Sequence, residues 1–255
     1  MDMIELIELT KYFRGAKAVD GINLRVRRGA LFGFLGPNGA GKTTTLKMMA
    51  GILKPTRGRI LVGGKDIAQE PEAVKEKMAF ISDHPFLYEK LTAFEFLHFV
   101  ADLFALEKAP PLEHEIERLL TLFHLEGWKN DLVEGYSHGM KQRLVLCAAL
   151  LHRPEVLIVD EPMVGLDPSG SRLVKDIFRQ ETERGATVFM STHSLEVAEE
   201  VCDEIAIIHA GKIRAQGSPD DLRTEAGGDG NLESIFLRLT EGDLQSHDVL
   251  HSSQA

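Results

Sequence analysis

Gly36-Pro37-Asn38-Gly39-Ala40-Gly41-Lys42-Thr43 follows an apolar run at 30–35 and precedes a segment of helical character. The stretch matches the pattern G-x-x-x-x-G-K-[ST], whose glycines let the backbone curl so that successive N–H groups point at phosphate oxygens. Lys42 supplies a full positive charge for the β- and γ-phosphates, and the Thr43 hydroxyl is suited to Mg²⁺. We therefore predict that these eight residues and Thr44 bind a nucleotide. The alternative is a glycine-rich loop that merely resembles the motif.

Two adjacent acids follow a second apolar run. Residues 156–159 read Val-Leu-Ile-Val, and Asp160 and Glu161 come next. Ligand sites in open α/β sheets lie at the carboxyl ends of the strands, so we expect Asp160 to hold Mg²⁺ through water. Glu161 is expected to orient and deprotonate the attacking water, since phosphoryl transfer depends mainly on positioning and charge stabilisation. The alternative is that both carboxylates are solvated and cap the next element.

Apolar runs alternate with helical segments along much of the chain, which predicts an α/β fold with a parallel sheet. The helical middle, about 84–152 and broken at Pro110-Pro111, is then an insertion between early and late strands. The strand-like segments are 3–9, 22–26, 30–35, 59–62, 156–159, 186–190 and 205–208, and further helices are expected at 43–50, 170–183 and 195–202.

The C-terminal end differs from the rest in composition. We place the main domain at 1–223 and an extension at 224–255. The glycine-rich residues 227–230 are expected to be flexible, and 232–239 are apolar enough to dock as a short helix. The polar tail after Thr240 is expected to be disordered.

Composition limits the partners and the compartment. The net charge of -10 argues against a nucleic-acid partner, because such binding needs Lys and Arg along a phosphate-facing surface. Cys147 and Cys202 have no metal-ligand spacing and suggest no disulfide framework, which fits a reducing cytoplasm. No apolar run approaches the roughly 18 to 20 residues that span a bilayer. The acids Asp2 and Glu5 argue against a signal peptide, so a membrane role must come through a partner.

Three further motifs narrow the family. Residues 136–143 read Tyr-Ser-His-Gly-Met-Lys-Gln-Arg, 165–167 read Gly-Leu-Asp, and 192–194 read Thr-His-Ser. They resemble, in this order, the LSGGQ signature, the D-loop and the H-loop of ATP-binding cassette (ABC) ATPases. The order and the spacing match over roughly residues 3–223. The chain is therefore similar to the ATP-hydrolysing subunits of ABC transporters.

The resemblance implies a fold and a mode of action. The fold would be a P-loop NTPase core with a mostly parallel sheet, an antiparallel β flank and an inserted α-helical subdomain. Two copies, a homodimer, would pack head to tail and sandwich two ATP molecules with Mg²⁺. Each ATP would contact the phosphate loop of one copy and Ser137 and Gly139 of the other. Ser137 could instead be a plain helix N-cap.

The resemblance also implies roles for single residues. His193 would contact the γ-phosphate and would form the catalytic set with Lys42 and Glu161. Asp167 would couple the two sites across the dimer, and Phe13 would stack on adenine. The alternatives are a loop histidine with satisfied hydrogen bonds, a turn-starting aspartate and an aromatic residue in the core of an edge strand.

The signature departs from the family pattern. Tyr136, His138 and Met140 stand where the family has Leu, Gly and Gln, whereas Ser137 and Gly139 keep the anion contact and the close backbone approach. We therefore expect activity to survive. His138 is either a pH-sensitive element or an exposed histidine at a helix start.

Asp83 is the second departure, because it stands where the family has the Q-loop glutamine. A carboxylate oxygen can bind Mg²⁺. We hypothesise that Asp83 ligates the ion together with Thr43 and Asp160.

A membrane-spanning permease is the partner that the resemblance implies, with the chain lying in the cytoplasm on the inner face of the cell membrane. The aromatic cluster after Asp83 lies where family members form a groove for the permease's coupling helix. We expect Phe86, Leu87 and Tyr88 to be exposed there and the other aromatic residues to be core.

The short chain, its Gly139-Met140-Lys141-Gln142 variant and its end at 232–240 are most similar to ATPases of ABC-2-type exporters, of the drug and lipid-precursor kind. The alternatives are an importer's ATPase, a soluble ABC protein without a transport role, and a regulatory module that binds nucleotide without hydrolysis. Intact Lys42, Asp160, Glu161 and His193 argue against the last of these.

Overall fold

The computed structural model describes residues 1–83, 86–106, 112–225 and 232–241. Pro110-Pro111, the glycine-rich residues 227–230 and the tail from residue 242 lie outside the described residues. The strands are β1 (Asp2–Phe13), β2 (Ala16–Arg27), β3 (Leu31–Leu35), β4 (Arg57–Val62), β5 (Lys65–Asp66), β6 (Met78–Ile81), β7 (Val156–Asp160), β8 (Thr187–Thr192), β9 (Glu204–His209) and β10 (Lys212–Gly217).

The helices begin at the phosphate loop and continue to the C-terminal end of the described chain. They are α1 (Lys42–Met49), α2 (Pro71–Lys75), α3 (Ala93–Leu103), α4 (Leu112–Leu122), α5 (His138–Leu151), α6 (Pro168–Glu183), α7 (Leu195–Val201), α8 (Pro219–Glu225) and α9 (Leu232–Glu241). None of the described helices is both long enough and apolar enough to cross a bilayer.

A six-stranded sheet in the order β10-β9-β3-β8-β7-β6 forms the centre of the fold. Its strands pair in parallel from β9 to β6, and β10 pairs antiparallel with β9. Leu35 at the end of β3 is in register with Thr192 at the end of β8, and Asp160 at the end of β7 is in register with Ser191. The phosphate loop, the acidic pair and the predicted H-loop therefore start from one edge of the sheet.

Both faces of this sheet are buried, which explains the continuous apolar runs of its strands. Along β3, Leu31 and Leu35 face the core under the helical region, whereas Phe32 and Phe34 face the core on the other side. The Phe189 ring from β8 packs with both of these phenylalanines, at centroid distances of 5.3 and 5.5 Å. This packing fixes the strand from which the phosphate loop departs.

The second sheet is antiparallel, in the order β2-β1-β4-β5. Its apolar face and the central sheet enclose α1, whose Leu46, Met48 and Met49 are buried. A further group of helices, α3 to α5, lies between β6 and β7 in the chain. Thr92 and Glu95 form a capping box at the start of α3. The α/β fold with a mostly parallel core, an antiparallel β flank and an inserted helical subdomain is thus confirmed.

Both cysteines are buried free thiols, as the sequence indicated for Cys147. Burial raises the pKa of each thiol above its ordinary value, so both are neutral near pH 7. At the C-terminal end, α9 contacts α8 and β9 and buries Leu232 and Ile235.

Candidate functional site

The phosphate loop joins β3 to α1 and closes tightly against the second sheet. Gly41 has φ +110°, and a Cβ there would lie 2.5 Å from the carbonyl oxygen of Ala18, so the position requires glycine. Helix α1 has no side-chain cap and no acid in its first turn. Its first N–H groups are thus left for an anion, which the helix dipole also favours.

Lys42 lies inside the loop rather than in solvent. Its side chain is 5% exposed, and its Nζ donates hydrogen bonds to the carbonyl oxygens of Gly36 at 2.6 Å and Pro37 at 3.3 Å. The ammonium is therefore held at the mouth of the loop, where the phosphates of a bound nucleotide would lie.

Glu161 stands between the two other residues predicted to be catalytic. Its Oε1 lies 3.5 Å from Lys42 Nζ, and its Oε2 lies 3.0 Å from Nδ1 of His193. Its backbone has φ +50°, a left-handed conformation that costs a non-glycine residue about 1–3 kcal/mol. The structure therefore brings Lys42, Glu161 and His193 into one cluster, and the strained turn directs the carboxylate into it.

Asp160 is fully buried at the end of β7, and its two carboxylate oxygens differ. Oδ1 accepts a hydrogen bond from the Ser191 hydroxyl, whereas the buried Oδ2 has no hydrogen-bond partner among the described residues. A buried carboxylate oxygen without a donor is costly unless a cation or water reaches it. Hard oxygen ligands are those that Mg²⁺ prefers, so this donor set fits the ion.

A cleft of about 210 Å³ brings most of the predicted site residues together. Asp83 lies in its wall together with Thr43 and Glu161, whereas Asp160, the third expected metal ligand, and His193 are not among the lining residues. Its lining is Ala18, Pro37, Asn38, Gly39, Gly41, Lys42, Thr43, Thr44, Asp83 and Glu161. Carboxylate and hydroxyl oxygens, the Lys42 ammonium and the loop amides thus line one space, whose chemistry suits the phosphates of a nucleoside triphosphate and a metal ion.

Phe13 ends β1 and is 45% exposed, so it is not part of the strand core. It pairs with Ala16 across the β1–β2 hairpin, two residues before Ala18 in the wall of the cleft. Nζ of Lys11 lies 5.2 Å from its ring centroid. An exposed ring on the hairpin beside the phosphate loop is available to stack on a base.

Ser137 and Gly139 do not line this cleft. Ser137 is the N-cap of α5, and its hydroxyl accepts a hydrogen bond from the Met140 N–H at 3.3 Å. The first turn of α5 contains no acid, so its dipole favours an anion from outside. The start of α5 and the phosphate loop are therefore separate sites within one chain.

The D-loop packs directly against the start of α5. Asp167 is the N-cap of α6, and its Oδ1 accepts a hydrogen bond from the Gly170 N–H at 2.7 Å. Gly165 has φ +79°, and a Cβ there would overlap the imidazole of His138. His138 is thus an exposed histidine at the start of α5, as one of the two alternatives expected, and its ring also rests on the D-loop glycine.

Tyr136, which replaces the family's Leu, is buried and anchors the signature to the helical subdomain. Its hydroxyl donates a 2.6 Å hydrogen bond to the carbonyl oxygen of Trp128. Burial, with Asp131 nearby, raises the pKa of Tyr136 to about 12, so it stays a neutral donor. Sequence reasoning missed this contact, although the hydroxyl of a buried Tyr usually finds a partner.

The region after Asp83 carries an exposed aromatic row, but one of the three expected residues is not in it. Phe86 is 82% exposed and Tyr88 is 49% exposed, whereas Leu87 is 7% exposed. The prediction for Leu87 is wrong, because its side chain packs into the core under the helical subdomain. The expectation that the other aromatic residues are core is wrong for Phe99 and Phe104, which are 37% and 36% exposed. The Tyr88 ring also contacts Phe99 of α3, with centroids 5.1 Å apart.

A larger groove lies between the core and the helical subdomain. Its volume is about 760 Å³, and its walls combine apolar side chains with Glu72, Lys75 and Glu76. Ile52 and Leu103 are its most exposed apolar residues, at 64% and 68%. The groove holds none of the predicted catalytic residues, so its shape and apolar walls suit a protein segment better than a substrate.

Comparison with known proteins connects this geometry to a family. The family model described as "ABC transporter" matches residues 19–164. The chain is 36% identical over 256 residues to the "Probable multidrug ABC transporter ATP-binding protein YbhF" of Escherichia coli, covering 99% of this chain and 43% of that protein. The chain thus spans less than half the length of this relative.

Two further proteins match over most of both chains. The "Daunorubicin/doxorubicin resistance ATP-binding protein DrrA" of Streptomyces peucetius is 37% identical over 243 residues, which cover 95% of this chain and 72% of that protein. A solved structure described as an "ATP binding subunit of ABC transporter" superposes with a TM-score of 0.87 at 33% identity. It covers 93% of this chain and 99% of its own.

Proposed function

Because the chain belongs to the ABC transporter family as an ATP-binding domain and ATPase, we propose that it drives export through a separate membrane-spanning subunit. The observation that best supports export is the similarity to DrrA, a drug-resistance protein, over 95% of this chain. The likeness to YbhF, named as a multidrug protein, points the same way. The cargo would be an amphipathic small molecule or lipid precursor that the membrane subunit binds.

Nucleotide binding would begin at the phosphate loop. The uncapped start of α1 offers N–H groups to the phosphates, and Lys42 offers a buried ammonium 2.6 Å from the Gly36 carbonyl oxygen. Phe13 would cover the adenine from the neighbouring hairpin. The Glu161 carboxylate lies 3.5 Å from the Lys42 ammonium, so the γ-phosphate would compete with this carboxylate for the ammonium.

Mg²⁺ would be held by the Thr43 hydroxyl, by Asp160 through water, and by Asp83. When bound, the ion neutralises charge on the β- and γ-phosphate oxygens. Asp160 fits this role through its buried Oδ2 at the end of β7, directly before Glu161, and Asp83 and Thr43 line the cleft together with Glu161.

Glu161 is the group that would act on the attacking water. Once the γ-phosphate engages Lys42, the Glu161 carboxylate is free to accept a proton and hold the water in line. His193, 3.0 Å away at Nδ1, would keep the carboxylate oriented and contact the γ-phosphate. Positioning and charge stabilisation are the main requirements of phosphoryl transfer, and these three side chains supply them.

The second half of each site would come from a second copy of the chain. Ser137 and Gly139 at the start of α5 carry the dipole and the N–H groups for a γ-phosphate, but they lie outside the cleft of their own chain. A head-to-tail homodimer would bring them to the partner's nucleotide. Asp167 and the D-loop would then lie between the two sites.

The membrane subunit would dock in the groove between the core and the helical subdomain. Phe99 and Leu103 stand four residues apart on α3 and so share one face, which joins the aromatic row to the groove. An apolar helix of the permease would lie on this surface. The chain would thus be peripheral on the cytoplasmic face of the cell membrane.

Site-specific photocrosslinking in the native host tests the proposal. A benzoyl-phenylalanine in place of Leu103 should give a product with one membrane-spanning protein, identified by mass spectrometry. The same probe at Arg25, 74% exposed on β2 of the second sheet, is the control and should not give this product. Deletion of the identified protein should abolish export that depends on ATP hydrolysis. Crosslinking of Leu103 to soluble proteins alone would contradict the proposal.

A further inference from the structure

Ser191 makes two hydrogen bonds that join the two adjacent acids of the site. Its hydroxyl donates to Oδ1 of Asp160, and its Oγ accepts a hydrogen bond from the Glu161 N–H at 3.2 Å. Ser191 is fully buried in β8, in register with Asp160 of β7. It does not line the nucleotide cleft, so it acts on the site through its neighbours.

The first bond decides which oxygen of Asp160 remains available. A carboxylate can rotate about its terminal bond, and either oxygen could then be the one left without a hydrogen bond. The Ser191 hydroxyl occupies Oδ1 and leaves Oδ2 as the buried acceptor without a partner in the described part of the chain. Without that donor, no hydrogen bond from the described residues would distinguish the two oxygens.

The second bond acts on the backbone of Glu161. That residue is in the left-handed region, with φ +50°, directly after the strand. Its N–H donates both to the Ser191 carbonyl oxygen and to the Ser191 Oγ, each at 3.2 Å. The same side chain therefore supports the turn that directs the Glu161 carboxylate toward Lys42 and His193.

We propose that Ser191 is a positioning residue for ATP hydrolysis, which sets the orientation of Asp160 toward the metal and of Glu161 toward the attacking water. The proposal rests on the proposed roles of Asp160 and Glu161. Residues that orient metal ligands typically change metal affinity or activity about 10- to 100-fold when they are removed.

The test measures metal binding directly. Mn²⁺ in place of Mg²⁺ is titrated by electron paramagnetic resonance into the full chain with a non-hydrolysable ATP analogue. We expect Ser191→Ala to raise the Mn²⁺ dissociation constant about tenfold. Affinity for the analogue in EDTA should stay within about twofold of wild type, because Ser191 does not contact the nucleotide cleft.

Thr187→Val is the matched control. Thr187 is a buried residue of the same strand, and its Oγ1 accepts a 3.0 Å hydrogen bond from the Gly29 N–H, away from the acidic pair. Its replacement removes a buried hydroxyl without touching Asp160 or Glu161. A general loss of stability in β8 would change Mn²⁺ affinity in both variants, and this result would overturn the proposal.

Asp160→Ala distinguishes a failure of the positioning role of Ser191 from a failure of the metal site at Asp160. If Asp160→Ala weakens Mn²⁺ binding and Ser191→Ala leaves it within about twofold of wild type, the positioning role is wrong and the metal role of Asp160 stands. If Asp160→Ala leaves Mn²⁺ binding unchanged, the proposed metal site fails and the role of Ser191 falls with it.

Discussion

Oε1 of Glu161 lies 3.5 Å from Nζ of Lys42, so the carboxylate gives the buried ammonium an anionic neighbour. Breaking a partly buried ion pair leaves an uncompensated charge, so the Glu161 carboxylate helps to keep the Lys42 ammonium inside the loop. A triphosphate can take over the ammonium, because it brings more negative charge to the same point. Binding of ATP would thereby release the group that later acts on water.

Replacement of Lys42 tests this exchange. Lys42→Ala should lower ATP affinity at least about tenfold, because the full charge facing the β- and γ-phosphates is lost. Titration with a fluorescent ATP analogue measures the effect. Lys47→Ala, on the last turn of the same helix α1, is the control and should bind like wild type. Equal affinity in all three proteins would show that Lys42 does not bind the phosphates.

Asp83→Ala should raise the Mg²⁺ concentration needed for half-maximal turnover about tenfold, because one oxygen ligand is removed. Asp83→Asn keeps an oxygen and should fall between this variant and wild type. Phosphate release over a Mg²⁺ titration measures the effect, with the exposed Asp102→Ala of α3 as the control. An unchanged Mg²⁺ dependence in Asp83→Ala would reject the ligand role.

Phe13→Ala should weaken ATP binding about tenfold, because stacking of a base on an aromatic ring contributes about 1–3 kcal/mol. The loss should be similar for GTP, since every base has a face that can stack. Isothermal titration calorimetry compares the variant with Tyr12→Ala, whose side chain points to the opposite side of β1. A larger loss in Tyr12→Ala than in Phe13→Ala would show that Tyr12, and not Phe13, contacts the base.

Gly165→Ala should displace the His138 ring, because a Cβ at this position overlaps it. Gly64→Ala is the matched control, since Gly64 has φ +80° and an open space around its Cβ position. Thermal unfolding should show a cost for Gly165→Ala about 1 kcal/mol larger than for the control.

The double variant His138→Gly with Gly165→Ala should lose this excess, because the two residues are in contact and their effects are coupled. Equal costs for Gly165→Ala and Gly64→Ala would mean that the signature and the D-loop are not packed tightly through this pair.

Much of the fold was predictable because the buried strands and the glycine-rich loop leave strong local signals. The apolar runs at 30–35 and 156–159 became β3 and β7, and the loop between β3 and α1 lies where the motif required. The strand β10 was not predicted, since in Lys212–Gly217 polar residues alternate with one Ile, one Ala and one Gly at the antiparallel edge of the sheet. Short polar edge strands carry little hydrophobic pattern.

The site was less predictable where function depends on contacts across the sheet. Ser191 looks like one polar residue in an apolar strand, and only the register of β7 with β8 brings its hydroxyl to Asp160. The burial of Leu87 between two exposed aromatic residues follows from tertiary packing, which local pattern does not encode. The contact of His138 with the D-loop glycine likewise depends on two segments that are distant in the chain.

The central claim is that ATP is bound between two copies of this chain and hydrolysed with Glu161 acting on water. Glu161→Gln should reduce phosphate release at least about 100-fold, because the general base is lost while the shape of the site is kept. Sedimentation analysis of this variant should show a monomer of 28.3 kDa without nucleotide and a species of twice that mass with Mg-ATP. A variant that hydrolyses ATP at the wild-type rate, or that stays monomeric with saturating Mg-ATP, would contradict the account.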